Sequence, residues 1–143
     1  MEETKLAYIA SLIDNSSYIF FRKDPRSKNS VYPFIKISVC CEEIADLIVS
    51  NYGGSVKKLK KKVNITVSHR KLLKLIQEVY PYLIAKKELA DIIISFYEMR
   101  FSRYYEVKRK KELVKKAIEI QPIAKKLLKT GSSSILKWLE EDL

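Results

Sequence analysis

Two pairs of strand-like segments, each preceded by a helical stretch, constrain the fold of this chain most. Residues 31–39 alternate strictly between two side-chain faces, as a β-strand requires. The aromatic run 18–23 before them predicts an antiparallel partner. Residues 55–59 and 62–68 predict a second strand pair after the helix break at Gly53-Gly54. The four strands together predict a single antiparallel sheet.

The predicted sheet has one apolar face and one polar face. The apolar face carries residues such as Ile35, Ile37 and Val67 and needs cover, which the helices would supply. The other face is predicted to be bare. Its polar members are Tyr32, Lys36, Asn64, Thr66 and Ser68.

Apolar residues at helical spacing predict the remaining elements. In chain order these are a helix from Thr4 to Asp14, a helix over 42–51, a helix near Arg70 capped by Ser68 and interrupted at Pro81, a stretch over 86–120 broken once among Lys108–Lys111, a helix from Pro122 to Gly131, and a last helix capped by Ser134. This order predicts an α+β domain with extra helices at its carboxyl end.

The charge distribution points to a polyanionic partner. Lys and Arg total 28 against 17 for Asp and Glu, a net charge of +11, which suits nucleic acid or an anionic membrane surface. The excess concentrates in residues 22–36 and 57–74, around the predicted hairpins. Because soluble surfaces usually mix signs, this favours nucleic acid, with a solvated lysine-rich hairpin as the alternative. The cluster Lys108–Lys111, flanked by Glu106 and Glu112, is interpreted as a solvated helix face.

Several classes are excluded. No apolar run approaches the ~20 residues of a membrane span, and the acidic start leads into no signal-peptide core, so we expect a cytoplasmic protein without membrane contact. Cys40 and Cys41 are neighbours and are predicted to be buried or half-buried free thiols. With His69 as the single histidine, neither a Cys/His zinc site nor a histidine-dependent triad is expected.

Residues 9–17, Ile-Ala-Ser-Leu-Ile-Asp-Asn-Ser-Ser, resemble the signature Leu-Ala-Gly-Leu-Ile-Asp-Ala-Asp-Gly of the LAGLIDADG homing endonuclease family. Gly53-Gly54 after the second helix, and Pro81-Tyr82-Leu83 followed by Lys86-Lys87 and Ala90, match the family in the same order. The resemblance spans residues 4–107. It implies a helix–strand–strand–helix–strand–strand–helix core whose four-stranded saddle lies along double-stranded DNA, with residues 108–143 as a helical extension of the same domain.

The resemblance also implies a homodimer, because one motif occurs per chain. The signature helix would pack against its twin, with Ala7, Ala10, Ser11 and Asp14 at the contact. The implied DNA contacts come from the hairpins and the polar sheet face. They are Arg22, Lys23, Arg26, Lys28, Tyr32, Lys36, Lys57, Lys58, Lys60, Lys61, Lys62, Asn64, Thr66 and Ser68.

The sequence departs from the family at the acid that binds a divalent metal, because Ser16 stands there. A neutral hydroxyl is a poor Mg²⁺ ligand, and both motif glycines are replaced as well, by Ser11 and Ser17. The nearest candidates for a catalytic role are Asp14, Lys86 and Lys87. Asp14 lies about 200° around the helix from Ser16 and so points to a different side.

The resulting prediction is a double-stranded DNA-binding protein with a degenerate site, no cleavage activity and no cofactor. An active Mg²⁺-dependent endonuclease that recruits metal through Asp14 is one alternative. An RNA-binding splicing maturase is another, and a basic protein unrelated to the family is the last.

Overall fold

The computed structural model describes residues 1–26, 30–98, 104–121 and 133–140. The elements are α1 (Glu3–Ser16), β1 (Ser17–Lys23), β2 (Val31–Val39), α2 (Glu42–Tyr52), β3 (Ser55–Lys58), β4 (Val63–Ser68), α3 (His69–Val79), a 3₁₀ turn (Tyr80–Tyr82), α4 (Lys87–Glu98), α5 (Tyr104–Ile120) and α6 (Ser133–Glu140). The predicted α+β order is confirmed, and the four strands form one antiparallel sheet.

The sheet has the strand order β1-β2-β4-β3, so the two hairpins join through their second strands. The register pairs Ser17 with Ile37 between β1 and β2, and Val39 with Val63 between β2 and β4. Gly53 and Gly54 lead from α2 into β3 with φ of 75° and 109°, a region that glycine enters without strain. This break was predicted correctly.

The apolar sheet face forms the core. Ile35, Ile37, Ile65 and Val67 are fully buried there, under α1, α2 and α3. Such side chains contribute ~1.5–3 kcal/mol each when removed from water. In β1, β2 and β4 the odd-numbered residues therefore face the helices and the even-numbered residues face the opposite side, whereas in β3 this parity is reversed.

The polar face is less bare than predicted. Phe20 and Phe34 lie on it, only 3% and 4% exposed, with their rings edge to face at 6.2 Å between centroids. Tyr18 and Ile118 of α5 pack against this pair. The correction has a simple cause: two aromatic rings on a nominally polar face gain more by mutual burial than by exposure.

The predicted helix boundaries need three corrections. No side chain caps α1, which begins at Glu3 and runs on to Ser16. Ser68 makes no cap bond to α3; its hydroxyl lies 3.1 Å from the His69 ring nitrogen Nδ1. The last helix begins at Ser133, one residue before its predicted cap.

The predicted break among Lys108–Lys111 is wrong, because these residues lie inside α5. The cluster is also not a wholly solvated face. Lys110 and Lys111 are buried, and their ammonium groups lie 5.2 Å and 5.4 Å from the ring centroids of Phe96 and Trp138. Lysine stems pack along apolar surface while the charge contacts a ring face, so a run of cations does not end the helix. The helix predicted from Pro122 to Gly131 lies outside the described residues.

The carboxyl-terminal helices join the main core. Val114 and Ala117 of α5 and Trp138 of α6 belong to the same cluster as the sheet residues, and α6 packs against β1. Cys40 and Cys41 are both free thiols, as predicted; Cys41 is half-buried as expected, but Cys40 is exposed, contrary to the prediction. None of the described helices is long and apolar enough to cross a membrane.

Candidate nucleic-acid interface

The strand register arranges the side chains of the polar sheet face in rows across the strands. The rows are Arg22–Tyr32, Phe20–Phe34–Ser68, Tyr18–Lys36–Thr66–Ser55 and Ser38–Asn64–Lys57. The predicted members of this face therefore come together on one surface. Aromatic side chains occupy the half of this face formed by β1 and β2, and short polar side chains with Lys57 occupy the half formed by β4 and β3.

The outer row is held by ring contacts. The Arg22 guanidinium lies 4.2 Å from the ring centroid of Phe34, and Tyr32 stacks on His69 with centroids 4.1 Å apart. Arg22 is exposed, so its side-chain plane is fixed while its N–H groups stay accessible. A guanidinium held in this way loses little entropy when it binds an anion.

The tip of the first hairpin contains a paired arginine. The Arg26 guanidinium donates to the Asp24 carboxylate at 2.8 Å and 3.0 Å, and this bond lowers the pKa of Asp24 to about 2. The Lys23 ammonium donates to the Asp24 carbonyl at 3.0 Å. Arg26 therefore adds little net charge, and Lys28 lies outside the described residues.

The lysines of the second hairpin fall on different sides of the molecule. Lys57 pairs with Asn64 across the polar face, whereas Lys58 pairs with Val63 in register, on the parity of the apolar face. The Lys58 ammonium forms an ion pair with Glu42 at 2.6 Å, which raises the pKa of Lys58. The alternation of a strand thus separates two adjacent lysines that sequence reasoning had grouped together.

Two cations of α3 contact aromatic rings of other helices. The Lys74 ammonium is 5.9 Å from the ring centroid of Tyr52 in α2, and the Arg70 guanidinium is 5.9 Å from that of Tyr97 in α4. These contacts lie among the helices that cover the apolar side. The cations of residues 57–74 are close together in sequence but are divided between the two sides of the sheet.

The turn between β3 and β4 carries Lys60, Lys61 and Lys62, all exposed. It is closed by a hydrogen bond from the Leu59 N–H to the Lys62 carbonyl, 2.9 Å long. Lys61 and Lys62 line a cavity of about 310 Å³ together with Ser16 at the end of α1 and Ser38 at the end of β2. We call this cavity the Ser16 pocket.

A second cavity, of about 420 Å³, lies beside the same end of α1 and is lined by Asp14, Ser17, Lys86 and Gln121. We call it the Asp14 pocket. The Asp14 carboxylate accepts hydrogen bonds from the backbone N–H groups of Ile84 and Lys86, both 2.9 Å. The carboxylate therefore holds the loop that leads into α4.

Lys86 closes the carboxyl end of α1 from this pocket. Its ammonium donates to the carbonyls of Ile13, Ser17 and Asp14 at 2.7, 2.8 and 3.2 Å, which are carbonyls that a helix end leaves without partners. Burial lowers the pKa of Lys86, and the Asp14 charge offsets part of that shift. The Lys87 ammonium instead lies 5.4 Å from the Tyr80 ring centroid.

The surface implied for dimer contact divides into exposed and buried positions. Ala7 and Ser11 are exposed, but Ala10 is fully buried in the chain's own core, and Asp14 is occupied by the α4 loop. The exposed positions recur at helical spacing along one side of α1. They are Thr4, Ala7, Tyr8, Ser11 and Asn15.

The donor set at Ser16 does not suit a divalent metal ion. Mg²⁺ requires carboxylate, phosphate or water oxygens, whereas the described lining of the Ser16 pocket contains two lysines and no carboxylate. Across the described ranges no three Asp, Glu, His or Cys residues cluster as a metal site. Asp14 lies in the other pocket.

Sequence reasoning missed two residues at this end of the sheet. Ser38 follows from the strand alternation and could have been found; its hydroxyl donates to the Asn64 side-chain oxygen at 2.8 Å. Gln121 could not have been found, because its amide bonds the backbone N–H and carbonyl of Ile19, 102 positions away. It occupies one hydrogen-bonding position on the free edge of β1.

Comparisons with known proteins agree with this architecture. No protein-family model and no curated protein sequence match the chain significantly. Among solved structures, the archaeal intron-encoded homing endonuclease I-Vdi141I, solved in complex with DNA, is 14% identical with a TM-score of 0.68, covering 98% of this chain and 97% of that one. The homing endonuclease I-CvuI, solved with a DNA target in the presence of Mg, is 16% identical with a TM-score of 0.60 over 99% and 98% of the two chains.

The homing endonuclease I-TnaI is 17% identical with a TM-score of 0.53 over 94% of this chain and 95% of that one. These likenesses extend along nearly the full length of both chains. At this level of identity they establish the fold. The predicted resemblance is therefore confirmed at the level of the fold: the chain has the architecture of the LAGLIDADG homing endonucleases.

Proposed function

We propose that this protein binds double-stranded DNA as a homodimer on a LAGLIDADG scaffold and does not cleave it. The observation that carries the proposal is the polar sheet face, where Arg22, Lys36 and Lys57 rise from three of the four strands among short polar side chains. A two-stranded or larger β surface can enter the major groove and read base edges.

The face offers the two kinds of contact that DNA recognition needs. Thr66 and Ser55 are short hydroxyl side chains in register beside Lys36, and such groups suit base edges. The exposed cations Lys57, Lys60 and Arg22 suit phosphates, which position the duplex without reading its sequence. The homing endonucleases with the same fold that were solved with DNA support this role.

The exposed stripe on α1 supports a homodimer. Small side chains at Ala7 and Ser11 let two helices approach closely, as they do wherever helix axes come near one another. Tyr8, 47% exposed, adds a large apolar surface beside them. A partner copy would bury this surface and place two polar sheet faces side by side along one duplex.

The absence of cleavage is supported by the positions of two side chains. Ser16 occupies the place of the family acid and brings no charge, and Asp14 uses its carboxylate oxygens to hold the loop into α4. The endonuclease alternative depended on Asp14 as a substitute ligand. To act as a metal ligand at Ser16, the Asp14 carboxylate would have to give up its hydrogen bonds with two backbone N–H groups and move from the Asp14 pocket to the Ser16 pocket.

We also propose that residues 108–143 are an extension of the same domain. The support is that buried residues of α5 and α6 share one cluster with the sheet core. A truncated chain that ends at residue 107 would expose that part of the core. We expect it to be unstable in isolation.

Selection from a pool of randomised duplexes tests the function whatever the target sequence is. The best-bound duplex is then incubated with the protein in Mg²⁺ or Mn²⁺ and resolved on a denaturing gel. We expect enrichment of a sequence with two-fold symmetry and full-length strands after incubation. Absence of any enriched or retained duplex would contradict DNA binding, and cut strands would favour the endonuclease alternative.

Competition with RNA addresses the maturase alternative. Structured intron RNA and the selected duplex compete for a limiting amount of protein at one salt concentration. We expect the duplex to win, because the polar face is a broad β surface suited to the major groove, whereas the RNA major groove is too narrow to enter. Preferential binding of the RNA would overturn the assignment.

A further inference from the structure

We propose that Lys61 and Lys62 replace the metal ion at Ser16, so that the Ser16 pocket binds a DNA backbone phosphate directly. This inference rests on the proposed function. It names the group that the pocket takes and explains why the acid is missing. The partner is a phosphodiester, and the contacts are two ammonium groups and a hydroxyl.

The strand register brings the residues of the Ser16 pocket together. Ser17 opposes Ile37, so Ser16 comes one position before the strand pair, next to Ser38. Ser38 in turn opposes Asn64, and the turn that carries Lys61 and Lys62 leads into β4 just before it. The two lysines therefore reach the end of α1 through the sheet, although they are 45 residues and more away in sequence.

Among the described residues, Lys61 and Lys62 have no carboxylate as an ion-pair partner. Two basic side chains near the hairpins are paired with carboxylates: Arg26 with Asp24 at 2.8 Å and Lys58 with Glu42 at 2.6 Å. Two like charges beside one cavity repel each other unless an anion comes between them.

The side chain at position 16 of this pocket is a neutral serine. A carboxylate there would pair with the adjacent lysines and repel a phosphate. A serine hydroxyl instead can donate a hydrogen bond to a phosphate oxygen. The loss of the acid and the presence of the lysines are therefore two parts of one change, from an anionic site that suits a cation to a cationic site that suits an anion.

The salt dependence of DNA binding tests the contact. Each phosphate neutralised contributes ~0.9 to the slope of log K against log salt, so Lys61→Ala with Lys62→Ala, which removes one phosphate contact from each pocket, should flatten the slope by up to roughly 1.8 for a dimer. The matched control removes two exposed lysines from α5, Lys108→Ala with Lys115→Ala. We expect the control to leave the slope within ~1 of the parent.

Substitutions at Ser16 test the exchange of a metal site for a phosphate site. Ser16→Asp should weaken duplex binding about tenfold relative to Ser16→Asn, because the carboxylate neutralises lysines that make charge-assisted bonds. The two variants have nearly the same size and differ in charge. The difference between them should be the same in Ca²⁺ and in EDTA at matched ionic strength.

The outcomes separate this inference from the proposed function. If the parent binds duplex DNA but the double-lysine variant keeps its salt slope, the phosphate contact is wrong and DNA binding stands. If Ca²⁺ strengthens binding by Ser16→Asp, the pocket still suits a metal and the inference is wrong. If the parent binds no duplex at all, both proposals fail together. Circular dichroism melts confirm that each variant is folded before its slope is compared.

Discussion

The two pockets beside the end of α1 differ in how their polar groups are satisfied. In the Asp14 pocket the carboxylate accepts two backbone N–H bonds, and the Lys86 ammonium donates to three carbonyls. In the Ser16 pocket, Lys61 and Lys62 have no ion-pair partner among the described residues. The carboxyl end of α1 thus borders both pockets. In the Asp14 pocket the charged groups form hydrogen bonds within the protein, and in the Ser16 pocket two ammonium groups form no ion pair with a described residue.

The difference separates structural from functional polar groups. Buried polar groups in folded proteins are hydrogen-bonded, and the Asp14 pocket obeys this rule. Like charges gathered around an open cavity bring no stability to the free chain, which supports the proposal that Lys61 and Lys62 serve a partner. Asp14 and Lys86 are two of the candidates for a catalytic role, and their hydrogen bonds support a structural role for both.

The largest effect is expected when the proposed dimer is broken, since only the dimer would bring two Ser16 pockets onto one duplex. Ser11→Arg should weaken dimerisation by ~3 kcal/mol, about a hundredfold in dissociation constant, because two like charges would meet at the axis. Analytical ultracentrifugation measures this. Ser50→Arg on the exposed side of α2 is the control, and equal dimerisation of both variants would place the contact elsewhere. Ala10 is unsuitable because it lies in the core.

The second-largest effect is expected on the free energy of unfolding, when a residue of the Asp14 pocket is changed. Lys86→Met should lower the free energy of unfolding by ~2–3 kcal/mol, because three carbonyls lose a charged donor. Urea denaturation measures the change, with Lys87→Met as a neighbouring control that keeps every bond to α1. The salt slope of DNA binding should stay at the parent value. If the Lys86→Met protein is as stable as the parent, the structural role proposed for Lys86 in this pocket is wrong.

A smaller effect is expected when the same measurement is made on the other pocket. Lys61→Ala with Lys62→Ala should change the free energy of unfolding by less than ~0.5 kcal/mol, as exposed side chains without partners usually do. Relief of repulsion between the two charges opposes the slight loss of packing. Urea denaturation beside the Lys86→Met series gives the comparison. A loss of ~2 kcal/mol or more would mean that these lysines are also structural.

The smallest effect concerns the paired cation at the tip of the first hairpin. The Asp24 pKa is about 2, below its ordinary value of 3.8, because of the bond from Arg26. Since the folded pKa is the lower one, this pair stabilises the fold above about pH 4 and the contribution is lost as the pH falls through about 2. Arg26→Gln should raise the Asp24 pKa towards 3.8 in a carboxyl NMR titration, whereas Arg22→Gln should leave it unchanged. An unaltered titration in Arg26→Gln would contradict the pairing.

Local patterns in the sequence predicted much of the fold. The strand Val31–Val39 has the bounds that its alternation indicated, and Gly53-Gly54 ends α2 as expected. Period-two alternation and a glycine break act over a few residues, so neighbouring side chains suffice to reveal them. Helix ends were predicted less well, because caps such as that expected at Ser68 depend on side-chain orientation.

Contacts between distant parts of the chain were not predictable in the same way. The burial of Phe34 depends on packing with Phe20 and Ile118, and Gln121 bonds Ile19 on the edge of β1. At the site, the motif identified Ser16, but its lysine neighbours follow from the strand register alone. The sequence therefore identified individual residues of the Ser16 pocket, but only the structure shows which of them lie together.

The most direct test of the account is duplex binding by the parent protein in Mg²⁺ and in EDTA at one ionic strength. The selected duplex is used, and its strands are recovered afterwards to check their length. Because lysines rather than a metal ion would hold the backbone phosphate, we predict the same affinity in both buffers and intact strands in Mg²⁺. Binding that requires Mg²⁺, or strands cut near the centre of the duplex, would contradict it.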